Sequence, residues 1–186
     1  MLHHCRAVAR GSKNPFLVCD MPFGSYQVSP EQALTNAVRF ITEGRAEAVK
    51  LEGGREMAAT VERITKIGVP VVGHIGLTPQ TTMSLGGFRV QGKTADSAIN
   101  LVEDALALQD AGCFAIVIEA VPSEISLEIT KLLSVPTIGI GAGPHTNGQV
   151  LVQNDALGVF DRFVPKYAER IHFILSTYLF ICFYCY

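Results

Sequence analysis

Apolar residues in this chain come in short continuous runs separated by amphipathic stretches. Residues 16–19 (Phe-Leu-Val-Cys), 46–51, 69–74, 114–118, 135–140 and 149–152 are the runs. Each has strand length and little internal alternation, the pattern of strands covered on both faces. The intervening segments repeat near 3.6 residues. Ala33, Leu34, Ala37, Val38 and Ile41 fall on one face, as do Met57, Val61 and Ile64, and then Ala98, Leu101, Val102, Ala105 and Leu108. Residues 123–133 form a further helix, and residues 3–11 read as the end of another, with Arg6 and Arg10 a turn apart. Ser29-Pro30 marks a helix start, with Gln32 placed to complete a capping box; Gly11, Gly44, Gly68 and Gly112 mark stops. Alternating strands and helices predict an α/β fold, a parallel sheet covered by helices. The Gly-, Thr- and Gln-rich connection over residues 76–93 is longer than a simple crossover needs, and such loops are functional or mobile.

Composition narrows the class. The chain has 186 residues, 48% hydrophobic and 17% charged, which fits one globular domain and excludes a disordered chain. A net charge of −2 provides no basic field, which argues against a nucleic-acid partner. The five cysteines form no disulfide framework, so a reduced, intracellular chain is expected. Cys182 and Cys185 have C-x-x-C spacing, and His3, His4 and Cys5 are adjacent, but neither group has the partners of a metal or redox site. Met1 is followed by polar residues with no signal-peptide core. Residues 171–186 are apolar and aromatic, and shorter than the ~20 residues of a spanning helix. A tail anchor, a buried helix, and an out-of-register or alternatively spliced end all remain open for them.

The chemistry-bearing residues share one location. Asp20, Lys50, Glu52, His74 and Glu119 all fall at the carboxyl ends of predicted strands, where barrels and open α/β sheets carry their sites. Lys50 and Glu52, two apart, project to the same side. Asp20 and Glu52 are hard oxygen donors suited to Mg²⁺. Lys50 can neutralise a substrate carboxylate or oxyanion. Glu119 follows four apolar residues, and its partial desolvation makes it a better proton acceptor. His74 can donate to an oxygen. Each also has a plainer reading: an edge ion pair for Lys50 and Glu52, loop hydrogen bonds for the carboxylates, a helix cap for Glu119, a backbone-bonded core histidine for His74. Gly139-Ile140-Gly141-Ala142-Gly143 places its third glycine one residue too early for a dinucleotide fingerprint, and suits a close backbone approach instead.

Seven ordered blocks sharpen the picture: Asp20-Met-Pro-Phe-Gly-Ser-Tyr, Val49-Lys-Leu-Glu-Gly-Gly, Gly73-His-Ile-Gly-Leu-Thr-Pro-Gln, Gly86-Gly-Phe-Arg-Val-Gln-Gly-Lys, Ile118-Glu-Ala-Val-Pro, Ile138-Gly-Ile-Gly-Ala-Gly and Gly148-Gln-Val-Leu-Val. Together they resemble the 3-methyl-2-oxobutanoate (ketopantoate) hydroxymethyltransferase family, over about residues 2–165. The resemblance implies a (β/α)₈ TIM barrel of the phosphoenolpyruvate/pyruvate-binding type. It implies a transferase that moves a hydroxymethyl group from 5,10-methylenetetrahydrofolate to 3-methyl-2-oxobutanoate, giving 2-dehydropantoate for pantothenate biosynthesis through a Mg²⁺-stabilised enolate. By position, Asp20 resembles the metal- and substrate-binding aspartate, Lys50 the substrate-binding lysine and Glu52 the second metal carboxylate. Glu119 resembles the proton acceptor and His74 an active-site histidine. The family is a homo-oligomer of bacterial cytoplasm or of plant and fungal mitochondria.

The sequence departs from the family pattern twice. That pattern has two more strands before the first helix here, the second ending in a Gly-Asp-Ser that supplies a metal ligand; no Gly-Asp-Ser occurs in this sequence. The expected domain is therefore a TIM barrel over residues 1–165 lacking its first two strands, followed by a divergent apolar tail over residues 166–186. Two other functions stay open: another Mg²⁺-dependent carbon–carbon lyase or transferase on the same barrel, and a catalytically inactive fragment that binds full-length subunits or a membrane.

Overall fold

The structure is a computed structural model that describes residues 1–84 and 86–157. The expectations for residues 166–186, including Cys182 and Cys185, lie outside the described residues. Element order is α1 (Leu2–Gly11), β1 (Val18–Asp20), α2 (Pro30–Thr42), β2 (Ala48–Lys50), α3 (Ala58–Thr65), β3 (Val71–Gly76), α4 (Ala95–Asp110), β4 (Ala115–Glu119), α5 (Ser123–Leu132), β5 (Thr137–Ile140), β6 (Gly148–Gln149) and α6 (Gln153–Ala156). Short 3₁₀ turns occupy Arg55–Met57 and Pro79–Thr81.

All six expected strands form, and every neighbouring pair is parallel, in the order β1-β2-β3-β4-β5-β6. Strictly sequential order is barrel order. A doubly wound sheet would reverse direction at a switch point, and this one does not. The architecture is therefore an α/β half-barrel, six consecutive strands of the TIM-barrel type.

Alternation along the strands separates two apolar layers. Val49, Val71, Ile75, Ile116 and Ile118 face the helices and join the main core with Ala33, Ala37, Phe40, Val61, Ile64, Leu101, Ala105 and Leu108. Val72, Ala115, Val117 and Ile140 form a smaller layer on the other face, with Val18 and Ile138 against it. Each fully buried Val, Leu or Ile stabilises by roughly 1.5–3 kcal/mol, so the helix-facing layer provides most of the cohesion. The inward layer is the floor beneath the polar residues described below.

Several local expectations shift. The Ser29 side chain caps α2 by accepting from the Gln32 amide. The Gln32 side chain does not reciprocate, and its buried Oε1 has no hydrogen-bond partner. A complete capping box sits instead on α4, between Thr94 and Ser97. The buried stripe of α2 is Ala33, Ala37 and Phe40, with Leu34, Val38 and Ile41 at its margins. The strands at Ala48–Lys50 and Thr137–Ile140 are shorter than their apolar runs, because the ladder covers only those residues of each run. The sixth strand is Gly148–Gln149, and residues 150–152 extend beyond its ladder. Phe16 lies outside β1, about half-exposed and edge-on to Phe114. Cys5 is buried in the core while His3 and His4 are exposed, which separates that trio.

Candidate active site

The five residues picked from strand ends converge. Asp20 ends β1, Lys50 ends β2, His74 lies in β3 and Glu119 ends β4, with Glu52 two residues past β2. Register explains the meeting. Asp20 pairs with Lys50, Lys50 with Val72 and His74 with Val117, so His74 stands one inward step beyond Lys50 and Glu119 one inward step beyond His74, and the side chains meet across that stagger. All five are buried. Lys50 Nζ lies 2.8 Å from Asp20 Oδ1, 3.1 Å from His74 Nδ1 and 3.9 Å from Glu52 Oε1. His74 Nδ1 is 3.7 Å from Glu52 Oε1, and His74 Nε2 is 3.1 Å from Glu119 Oε2.

These contacts fix the tautomer of His74. A lysine ammonium only donates. Nδ1 must then accept from Lys50, which leaves the ring proton on Nε2, facing Glu119. Burial first, and the Lys50 charge second, hold the His74 pKa well below its usual value. The ring is neutral at pH 7. Its approach to Glu119 is a neutral N–H aimed at a carboxyl, not an ion pair, and is too poorly aligned to count as a hydrogen bond.

Among the described residues one cation is enclosed with three carboxyl groups, so they cannot all ionise at low cost. Desolvation raises the pKa values of Asp20, Glu52 and Glu119, and Lys50 counteracts it in each case. Glu119 rises to about 8, with the charges of Glu52, Asp20 and Asp155 adding to the desolvation. It is mostly protonated at pH 7 and becomes a base near pH 8. A proton acceptor is most effective with a pKa close to the operating pH.

The backbone around the site is specialised. Gly76 takes φ +90°, and a side chain there would collide with the carbonyl oxygen of Glu119, so only glycine allows β3 and β4 to approach so closely at their ends. Ala120, directly after Glu119, takes φ +49°, rare for a residue with a Cβ. Its amide donates to the Ile140 carbonyl, and its own carbonyl accepts from Gln91. That strain sits where the chain turns sharply after the candidate base, as strained residues at sites often do. Glu119 does not cap α5, since Pro122 occupies the N-cap and no side chain bonds there.

A cleft of about 410 Å³ lies beside this polar cluster, beneath the residue 76–93 connection. Its walls include Glu52, Gly53, Gly54, Thr78, Gln91 and Asn100. Of the five site residues only Glu52 reaches it. The cleft therefore meets the polar cluster at Glu52.

The sequence pattern of ketopantoate hydroxymethyltransferase matches residues 1–177. The chain belongs to that family. A 3-methyl-2-oxobutanoate hydroxymethyltransferase from Heliobacterium modesticaldum is 60% identical over 170 residues, covering 91% of this chain and 62% of that protein. One from Emericella nidulans is 60% identical over 172 residues, covering 91% of this chain and 49% of its own. A Syntrophobacter fumaroxidans relative is 56% identical, with 91% and 60% covered. The chain thus spans about half to three-fifths of the length of these relatives. Among solved structures, a Burkholderia cenocepacia protein provisionally assigned as a phosphonomutase superposes with a TM-score of 0.61 at 13% identity, over 80% of this chain and 68% of its own. At that identity the likeness concerns fold alone.

Within this ketopantoate hydroxymethyltransferase family member, sequence reading missed two site residues. Tyr26 and Gln80 both touch Glu52: the Glu52 amide donates to Tyr26 Oη at 3.2 Å, and the Gln80 amide donates to Glu52 Oε2 at 3.0 Å. Both lie in the motif blocks Asp20–Tyr26 and Gly73–Gln80. Their position as the closing residue of each block was the available signal, but loop residues carry no periodicity that would say where they point.

Among the described residues, no group of three or more His, Cys, Asp and Glu is arranged to hold a metal ion. Two carboxylates are available. Asp20 Oδ1 is buried without a hydrogen bond, its close neighbour being Lys50, and Glu52 Oε1 faces the same space with nothing nearer than 3.7 Å among its ionic contacts. Two under-coordinated hard oxygens fit a small divalent cation that keeps several waters and accepts further ligands from a chelating substrate.

Proposed function

We propose that this chain is a transferase acting on 3-methyl-2-oxobutanoate, taking a one-carbon unit from 5,10-methylenetetrahydrofolate and giving 2-dehydropantoate for pantothenate biosynthesis. The observation that carries the reading is Glu119. It is a buried carboxyl with a pKa raised to about 8, held 3.1 Å from a neutral histidine, in one cluster with Lys50. That is the equipment for taking a proton from carbon next to a carbonyl.

The roles follow from position and charge. Lys50 meets the negative charge of the 2-oxo acid and of the enolate that develops from it. Glu119 takes the C3 proton once ionised. The Nε2–H of His74 faces the Glu119 carboxyl at 3.1 Å, and Lys50 holds His74 in the tautomer that puts the ring proton on that side. Asp20 and Glu52 would hold Mg²⁺, which as a Lewis acid would make the C3 proton of the 2-oxo acid more acidic. Both bonds from the one-carbon unit to folate nitrogens must break: the enolate carbon takes the place of one nitrogen, and a water oxygen takes the place of the other. The two nitrogens end with the C3 proton and the remaining water proton.

Homo-oligomerisation belongs to the same reading. Among the described residues β1 pairs only with β2 and β6 only with β5, and unpaired strand edges are rarely left uncovered. The decisive experiment follows the C3 proton of 3-methyl-2-oxobutanoate by NMR in ²H₂O with Mg²⁺ and no folate. Exchange catalysed by the chain and abolished by Glu119→Gln supports the reading. Exchange that survives the substitution removes Glu119 as the base.

A further inference from the structure

Glu52 is held from behind by a closed ring of hydrogen bonds. Its backbone N–H donates to Tyr26 Oη at 3.2 Å. The Tyr26 hydroxyl, at 2.9 Å from Gln80 Oε1, must donate there, since an amide oxygen only accepts. The Gln80 backbone N–H then returns to Glu52 Oε2 at 3.0 Å. Every donor meets an acceptor, and the polarity runs one way round. The Gln80 side chain makes a fourth bond, donating from Nε2 to the Met21 carbonyl at 2.9 Å. The Met21 amide in turn donates to the Lys50 carbonyl.

The ring unites three segments with no sequence proximity: the loop after β1, the turn after β2, and the start of the connection after β3. Tyr26 is among the most deeply buried side chains of the protein, although it lies in a loop. Its hydroxyl has no role in packing that a phenylalanine ring would not fill. That hydroxyl bonds to the Glu52 amide and to Gln80 Oε1.

We propose that Tyr26 and Gln80 are positioning residues. They tie back Oε2 of Glu52, so that Oε1 alone is presented to Lys50 and His74, and they fasten the residue 76–93 connection to the site through the same carboxylate. The inference deepens the function proposed above and rests on it for its kinetic consequence. Its geometric content stands independently. A carboxylate with one oxygen committed cannot swing into the 410 Å³ cleft, of which Glu52 is a wall.

Two variants test this in the full chain. Tyr26→Phe removes one oxygen and keeps the ring packing. Gln80→Leu removes the side-chain bonds and leaves the backbone amide. In ¹⁵N spectra and amide hydrogen exchange, both should make the Glu52 and Gln80 amides exchange at least about tenfold faster, while the Ile116 and Ile118 amides stay protected. Both should also move the His74 Nδ1 resonance, because Glu52 Oε1 lies 3.7 Å away. For C3 proton exchange, kcat should fall about tenfold with KM within about threefold, since a misplaced group costs rate more than ground-state binding. The double variant should cost no more than the worse single one, as parts of one ring do not add. Unmoved Glu52 and Gln80 amides with an unmoved His74 resonance would overturn the proposal, as would full kcat in both variants. If the parent chain exchanges no substrate proton, the proposed function falls, and the spectroscopic arm still decides the ring.

Discussion

The two faces of strands β3 and β4 differ by a single residue of register and do opposite things. Val71, Ile75, Ile116 and Ile118 face the helices in a continuous apolar layer. Val72, His74, Val117 and Glu119 face the other way, two apolar positions below two polar ones. Outward positions gain from burial alone. Inward positions near the strand ends enclose charges whose burial is costly unless partners are supplied. The same backbone therefore carries a stabilising face and a face held under electrostatic tension, and Lys50 is the group that makes the second tolerable.

Substitutions should separate the two faces cleanly. The largest effect expected is on the inner face: Glu119→Gln should lower C3 proton exchange by about 10²–10⁴-fold while leaving the melting temperature at pH 6 close to the parent's. Next is Lys50→Met. It leaves Asp20 and Glu52 buried without their cation, a situation that costs about 3–5 kcal/mol when one partner of a buried pair is removed. Urea unfolding should show the loss, and the triple variant Asp20→Asn/Lys50→Met/Glu52→Gln should recover much of it. Full stability of the single variant would mean that the cluster is wetter than its burial indicates. On the outer face, Ile116→Ala should cost about 2–5 kcal/mol in unfolding free energy and leave the activity per folded molecule unchanged.

The inner face should also carry a pH signature that the outer face lacks. The folded pKa of Glu119, about 8, is above its ordinary value of 4.5. Below about pH 4.5 both folded and unfolded forms are protonated, and the group contributes no difference. Between about 4.5 and 8 the unfolded chain has released the proton that the folded chain still holds. Stability must then fall as pH rises through that window. Exchange activity should rise over its upper part, as the base ionises. Glu119→Gln should flatten the stability slope, and an unchanged slope would assign it to Asp20 or Glu52. The smallest effect expected is at the turn between the faces: Ala120→Gly should stabilise by up to about 1 kcal/mol, because glycine takes φ +49° without Cβ strain.

The outer face was legible in the sequence because it follows the period of the backbone. Continuous runs such as Ala115-Ile116-Val117-Ile118 named the buried strands, and the 3.6-residue spacing of Leu101, Ala105 and Leu108 named the helical face against them. The site carboxylates, Lys50 and His74 were legible for a related reason. Each interrupts or terminates such a run, and strand ends on one side of a parallel sheet share a location. Tyr26 and Gln80 were not legible as site residues. They sit in turns, where orientation depends on contacts with segments far away in sequence. The capping box was misplaced for a similar reason: Gln32 has the right spacing, but its side chain is drawn into a half-buried position where it does not reach back to Ser29.

By itself, the sequence determined the strand and helix order, the parallel α/β class and the identity of five polar residues at strand ends, because these depend on local period and on one-residue alternation. Only the tertiary structure decided which of those residues meet. Stagger between neighbouring strands brought Lys50 to 2.8 Å from Asp20 and 3.1 Å from His74, and left Glu119 beyond the histidine. That order of distances, combined with burial, puts His74 beside Glu119 and Lys50 on the other side of the ring, and gives Glu119 the character of a base. Charge energies depend on distances through space and on the solvent excluded between groups, and neither is written in the spacing of residues along a chain.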